Sequence, residues 1–212
     1  MNIEKTIENL RKNNMAAYFA ETKEEALDII KGLMNKGETV SVGGSVTLNE
    51  AGVLDLLRCG DYEFLDRYKE GLTREEVTEI FRKSFFADTY LVSSNAITEE
   101  GELYNVDGNA NRVAAMLFGP KSVIVLAGKN KIVENLKAAE KRVKTVAAPK
   151  NVKRLSMKTY CSEKGYCMGL EDEKMCAGCG SDDRICASYT VMARQRIKDR
   201  VKVIIVNEEL GY

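Results

Sequence analysis

Five of the six cysteines fall within one short stretch: Cys161, Cys167, Cys176, Cys179 and Cys186, spaced C-x5-C-x8-C-x2-C-x6-C, while Cys59 stands apart. A C-x2-C pair with further thiols close by suits a four-thiolate zinc ion or an iron–sulfur cluster. The chain contains no histidine, so any such centre must be held by thiolates alone or completed by a ligand from outside. Residues 160–186 carry almost no apolar periodicity, and a bound metal would supply the folding constraint that a core does not. The competing reading is a cluster of free thiols, some of them prone to oxidation. Cys59 reads as a small buried apolar residue or an idle thiol.

A second set of polar residues follows buried apolar runs. Gly43-Gly44-Ser45 follows Thr39–Val42, Ser94-Asn95 follows Tyr90–Val92, and Lys129-Asn130 follows Ser122–Ala127. Backbone N–H groups in a glycine turn at a helix start attract anions, although two glycines also make a tight turn with no ligand. Asp107 lies in Val106-Asp107-Gly108-Asn109-Ala110-Asn111-Arg112. It is a candidate general base or partner for a substrate hydroxyl, and equally a turn or helix-cap residue. Asn109 stands beside it. Arg112 could grip an anion through a bidentate contact or lie on a surface helix face. Lys129 could meet a phosphate as a point charge or be solvated. Without histidine, proton transfer falls to carboxylates, Lys, Tyr, Cys or a cofactor.

The elements that must carry these residues alternate. Helices are expected at residues 3–12, after Thr22, from Thr47 to about Leu57 with Thr47 as the cap, from Thr73 to about Phe86, at 109–118, from Lys131 to about Arg142, and from near Pro149 to Met157. Strands are expected at residues 16–20, 39–42, 90–92, 122–127, 187–193 and 201–206, with a hairpin over 97–106. Residues 61–72 read as irregular. The aromatic residues of the helix after Thr73, Phe81, Phe85 and Phe86, read as core. This order predicts an α/β fold, a mainly parallel sheet with helices on both faces. In such sheets the ligand crevice lies at the carboxyl ends of the strands, where the three polar strand ends would meet.

Bulk composition narrows the partners. The chain has 212 residues with 32 Lys plus Arg against 32 Asp plus Glu, and this balance argues against nucleic acid. The basic stretch Lys137–Lys153 reads as a solvated helix face and loop. No apolar run approaches membrane-spanning length, and the start Met1-Asn2-Ile3-Glu4-Lys5 lacks an apolar leader core, so a cytoplasmic protein is expected.

Three stretches carry a resemblance. Gly43-Gly44-Ser45-Val46-Thr47-Leu48, the long run from Ser94 through Val113, and Phe118-Gly119-Pro120-Lys121 followed by Gly128-Lys129-Asn130-Lys131-Ile132-Val133 resemble the LUD-domain (lactate utilization protein) family in order and spacing. The ending Glu208-Glu209-Leu210-Gly211-Tyr212 is also similar. The resemblance implies one LUD-like domain over 1–212, with residues 160–186 a Cys-rich insertion inside it. It implies a fold similar to ribose-phosphate isomerase, glucosamine-phosphate deaminase and CoA transferases. It further implies kinship with a subunit of a system oxidising L-lactate or a similar hydroxy acid, with a small anionic substrate, partner subunits and self-association. Cysteine-bearing members show a similar but more compact cluster; residues 168–175 look inserted here, leaving open whether Cys161 or Cys167 fills the outer position. A stand-alone isomerase- or transferase-type enzyme, or a ligand-binding module with structural zinc, is the alternative.

Overall fold

A computed structural model describes residues 1–212. The chain runs α1 (Ile3–Lys12), β1 (Ala16–Ala20), α2 (Lys23–Gly32), β2 (Thr39–Val42), α3 (Val46–Glu50), α4 (Val53–Leu57), β3 (Glu63–Leu65), α5 (Arg74–Lys83), β4 (Thr89–Val92), β5 (Ala96–Thr98), β6 (Leu103–Asp107) and α6 (Asn111–Leu117). It continues through β7 (Ser122–Gly128), β8 (Ile132–Val133), α7 (Leu136–Arg142), a π-helical turn (Val143–Ala147), α8 (Ala148–Arg154), α9 (Tyr160–Lys164), β9 (Ser188–Met192) and β10 (Val201–Val206).

Six strands form an all-parallel sheet in the order β1-β10-β7-β4-β2-β3. Both faces are covered, and the alternation of β7 shows how. Val123, Val125 and Ala127 enter one core with Ile7 and Leu10 of α1 and Met116 of α6. Ile124 and Leu126 enter the opposite core with Ala26 and Ile30 of α2 and Leu48 and Leu54 of α3 and α4. A strand buried on both faces reads as an unbroken apolar run, which is why β7 and β10 are the plainest strands in the sequence. The α/β architecture expected from the alternation is therefore the one found.

A second sheet, β8-β5-β6-β9, is built on the predicted hairpin: β5 and β6 are antiparallel, β8 joins β5 in parallel, and β9 pairs antiparallel with β6. Residues 187–193 thus form a strand as expected, but in this smaller sheet. No helix is long and apolar enough to cross a membrane.

Several local expectations are corrected. Ser45, not Thr47, caps α3, its side chain accepting from Leu48 N, and Gly52 at φ 77° breaks the expected long helix in two. Residues 63–65 are an edge strand rather than irregular chain. The helix expected from Lys131 begins only at Leu136, capped by Asn135, because Ile132 and Val133 pair with β5. The chain from α7 through α8 continues through the π-helical turn instead of restarting at Pro149. Within the basic stretch, Arg142 and Lys144 are buried. Phe86 is 90% exposed rather than in the core, and Cys59 is exposed.

The hairpin turn is held against α1. Gly101 adopts φ 79°, and a Cβ there would stand 2.6 Å from both Asn9 C and Leu10 N. The left-handed backbone and the close approach both demand glycine. Gly101→Ala is expected to cost more than about 1 kcal/mol, read as a lowered midpoint in urea unfolding; an unchanged midpoint would contradict this packing.

Candidate anion-binding site

β2, β4 and β7 are neighbours, and their carboxyl ends open into a cleft of about 490 Å3. Gly44, Ser45, Ser94, Asn95, Asp107, Asn109 and Arg112 all line it. Asp107 therefore stands on the same side of the sheet as the glycine turn. Gly43 lies just behind: a Cβ would stand 2.9 Å from Val92 Cγ2 and 3.0 Å from Arg112 Cγ, so only glycine lets the turn sit against Arg112. Lys129 and Asn130 are turned away. Lys129 Nζ donates to Asn207 Oδ1 at 3.2 Å. Asn130 holds residues 210–211, donating to Gly211 O and accepting from Leu210 N.

Arg112 is neither a surface residue nor a free anion clamp. Its Nε donates to Asp107 Oδ1 at 2.8 Å, Nη1 to Ser93 O and Asn105 Oδ1 at 2.8 and 2.6 Å, and Nη2 to Asn95 Oδ1 at 2.8 Å and Val106 O at 3.3 Å. The five N–H donors of a guanidinium are thereby occupied within the protein. Asp107 is held as closely. Its Oδ1 also meets Arg112 Nη2 at 2.6 Å, and its Oδ2 accepts from Val113 N at 3.0 Å. Val113 is the third residue of α6, whose own N-cap, Ala110, sits at φ 59° and has no capping side chain. Asp107 supplies the missing cap from the end of β6. Ser94 Oγ donates to Ala96 O and accepts from Asn105 Nδ2, while Asn95 Oδ1 accepts from Val106 N. These four residues knit the hairpin of the second sheet onto the end of β4.

Lys131 is the group that sequence reasoning passed over in favour of Lys129. It is 3% exposed and lines the cleft. Its Nζ donates to Thr47 Oγ1 at 2.7 Å and Ser93 Oγ at 3.0 Å, both neutral acceptors, and an ammonium has a third donor to place. No carboxylate pairs with it. Burial, reinforced by the cations Arg142 and Arg112 and only partly opposed by the more distant Glu50 carboxylate, brings its pKa down from 10.5 to about 7. Arg142 is itself buried and brought down to about 10, donating to Asn130 O and Asn95 O. The available sequence signal was positional: Lys131 directly precedes the Ile132-Val133 pair that β8 fixes beside β5.

The rim adds positive charge. Arg67 lies over the Phe81 ring, 4.4 Å from its centroid, a cation–π contact that holds the guanidinium in place without neutralising it. Its Nη1 lies 3.4 Å from where a Gly44 Cβ would be. Arg74, Arg154 and Arg184 also line the cleft, against Asp182 and Asp183. With the Arg112–Asp107 pair internally balanced, the remaining lining is cationic. Such a lining favours a small anion.

Two outcomes follow from this geometry. Arg112→Ala should destabilise the fold by about 3–5 kcal/mol, since it strands the buried Asp107 carboxylate, and Arg112→Lys should recover only part of that loss; denaturant titration measures both, and near-parental stability in Arg112→Ala would refute the role. For Lys131, an unfolded chain keeps its proton to about pH 10.4, whereas the folded chain releases it near 7. Between those values the unfolded state binds more protons, so this group's contribution to stability rises with pH and is least favourable below 7. Lys131→Met, compared with the parent, should therefore gain most in melting temperature at pH 6 and progressively less towards pH 10; a difference independent of pH would refute the buried, depressed ammonium.

A DUF162-family protein from Deinococcus radiodurans superposes with a TM-score of 0.52 at 14% identity, covering 97% of this chain and 96% of that one. eIF2B beta from Chaetomium thermophilum gives a TM-score of 0.36 at 13% identity over 53% and 43% of the two chains. Ribose 5-phosphate isomerase from Plasmodium falciparum gives 0.33 at 15% over 53% and 52%. No curated protein matches the sequence. The LUD-domain family model matches residues 3–206, so the chain belongs to the LUD-domain family.

Proposed function

We propose that this protein binds a small carboxylate, L-lactate or a similar 2-hydroxy acid, in the cleft at the strand ends, as the substrate-binding domain of a hydroxy-acid-oxidising system. The observation that carries the reading is Lys131, a buried ammonium facing the cleft with two hydroxyl acceptors and no carboxylate. A substrate carboxylate would supply the missing counter-charge, and the N–H groups at Gly44-Ser45 and the start of α3 would add to it. Membership of the LUD-domain family supports the link to lactate. With a pKa near 7, Lys131 can also hold or release a proton near neutrality, the property required of an acid–base group at the α-hydroxyl. Asp107, the carboxylate singled out from sequence, serves this reading as a positioning residue: it holds Arg112 and caps α6 instead of facing substrate.

An anion beside Lys131 stabilises its protonated form and raises its pKa. At pH 8, where the free amine is mostly neutral, binding should draw a proton from buffer; at pH 6 it should not. Calorimetry with L-lactate in two buffers of different ionisation enthalpy reads this directly. Lys131→Met should weaken binding at least tenfold and abolish the proton uptake, while Lys129→Met should match the parent. Equal binding by Lys131→Met and the parent would overturn the proposal.

A further inference from the structure

The cysteine segment borders a second, smaller pocket, apart from Lys131. Cys161 on α9 and Cys167, Cys179 and Cys186 on the irregular chain line one small pocket of about 20 Å3. Val143, Ala148, Met168, Tyr160 and Tyr189 complete its walls. Cys176 does not line it and is exposed. All the cysteines are free thiols, and no three acidic or thiol side chains are drawn together as a ligating set. Three of the four pocket thiols lie outside helix and strand, where side chains can turn without disturbing a hydrogen-bond ladder.

The surroundings suit a thiolate centre. Lys144, buried at 4% exposure, lines the same pocket, its Nζ bonded to Glu140, Gly169 O and Lys174 O. Arg184 donates to the carbonyl oxygens of Cys176, Cys179 and Cys186 at 2.7, 3.1 and 2.9 Å. Four thiolates around a divalent ion carry a net double negative charge; Arg184, which has no carboxylate partner, offsets part of it, while the charge of Lys144 is already balanced by Glu140.

We propose that Cys161, Cys167, Cys179 and Cys186 bind a single zinc ion as a closed four-thiolate site, with Cys176 excluded. The pocket as it stands, about 20 Å3, is close to the space of one water-sized sphere, which is room for one ion. Binding turns the side chains of Cys167, Cys179 and Cys186 inward toward Cys161 and releases the thiol protons to solvent. No coordination position is left for a substrate, so the ion is structural. It fixes the loop whose residues Asp182 to Ile185 form one wall of the cleft.

The test uses the full chain purified without oxygen. Elemental analysis should find one zinc per chain and no inorganic sulfide. Cobalt titrated into the metal-free protein should give the visible spectrum of a tetrahedral thiolate site. Alkylation mapped by mass spectrometry should modify Cys59 and Cys176 in the zinc-loaded protein and all six cysteines after chelation under denaturing conditions. Cys176→Ser should keep zinc, and Cys179→Ser should lose at least tenfold in affinity; the alkylation pattern of the parent decides the matter if that variant does not fold. A folded protein that takes up neither zinc nor cobalt, a sample containing iron and sulfide, or protection of Cys176 in place of one of the four would each overturn the proposal.

Discussion

Much of the molecule depends on the Arg112 guanidinium. It joins the end of β4 through Ser93 O, the following loop through Asn95, and β6 through Asn105, Val106 and Asp107. Its hydrogen bonds thus reach both sheets at the cleft. A planar cation with five donors can satisfy buried acceptors arriving from several directions, which a lysine cannot. The arrangement carries a constraint with it. Gly43 must lack a side chain, because Arg112 Cγ and Val92 occupy the space a Cβ would need. Asp107 must be a carboxylate, because it balances the guanidinium and caps a helix that starts at an alanine. A long motif between Ser94 and Val113 is thus explained largely by one buried polar network.

That network leaves the cleft's chemistry to a different residue. With Arg112 saturated, the positive charge still available to a ligand resides in Lys131 and in the rim arginines. Lys131 is costly where it stands: it has lost water and gained only hydroxyls. Its pKa near 7 expresses that cost. An apolar side chain of similar length would serve the fold better than a buried cation with no ion-pair partner, and buried charges of this kind concentrate at functional sites.

The cysteine segment and the cleft share Arg184. Its guanidinium holds the carbonyls of three cysteines, and the same side chain lines the cleft. Residues 160–186 contribute little to the three apolar cores, so their order rests on hydrogen bonds such as these and on contacts from Lys144. An element of this composition needs a constraint from outside the apolar core, and four thiols gathered on one pocket offer it.

The α/β class, the helices capped by Thr22 and Thr73, the buried strands β7 and β10, the hairpin, and the meeting of the strand ends at Val42, Val92 and Ala127 were legible in the chain. These features follow from local periodicity, caps and turn chemistry, which neighbouring residues determine among themselves. The side-chain partners were not legible. Whether Asp107 faces solvent, substrate or Arg112 depends on how the β5–β6 hairpin lies across the end of β4, a contact between two sheets that no local pattern records. Lys129 and Lys131 look alike in sequence, and only the pairing of β8 with β5 decides which one is buried in the cleft. Five clustered cysteines suggested a site, but which four share a pocket was set by the π-helical turn, α8 and Tyr189 packing around them. Local patterns specified the elements; desolvation and hydrogen bonding among distant residues, which exist only once the sheets are assembled, specified the chemistry.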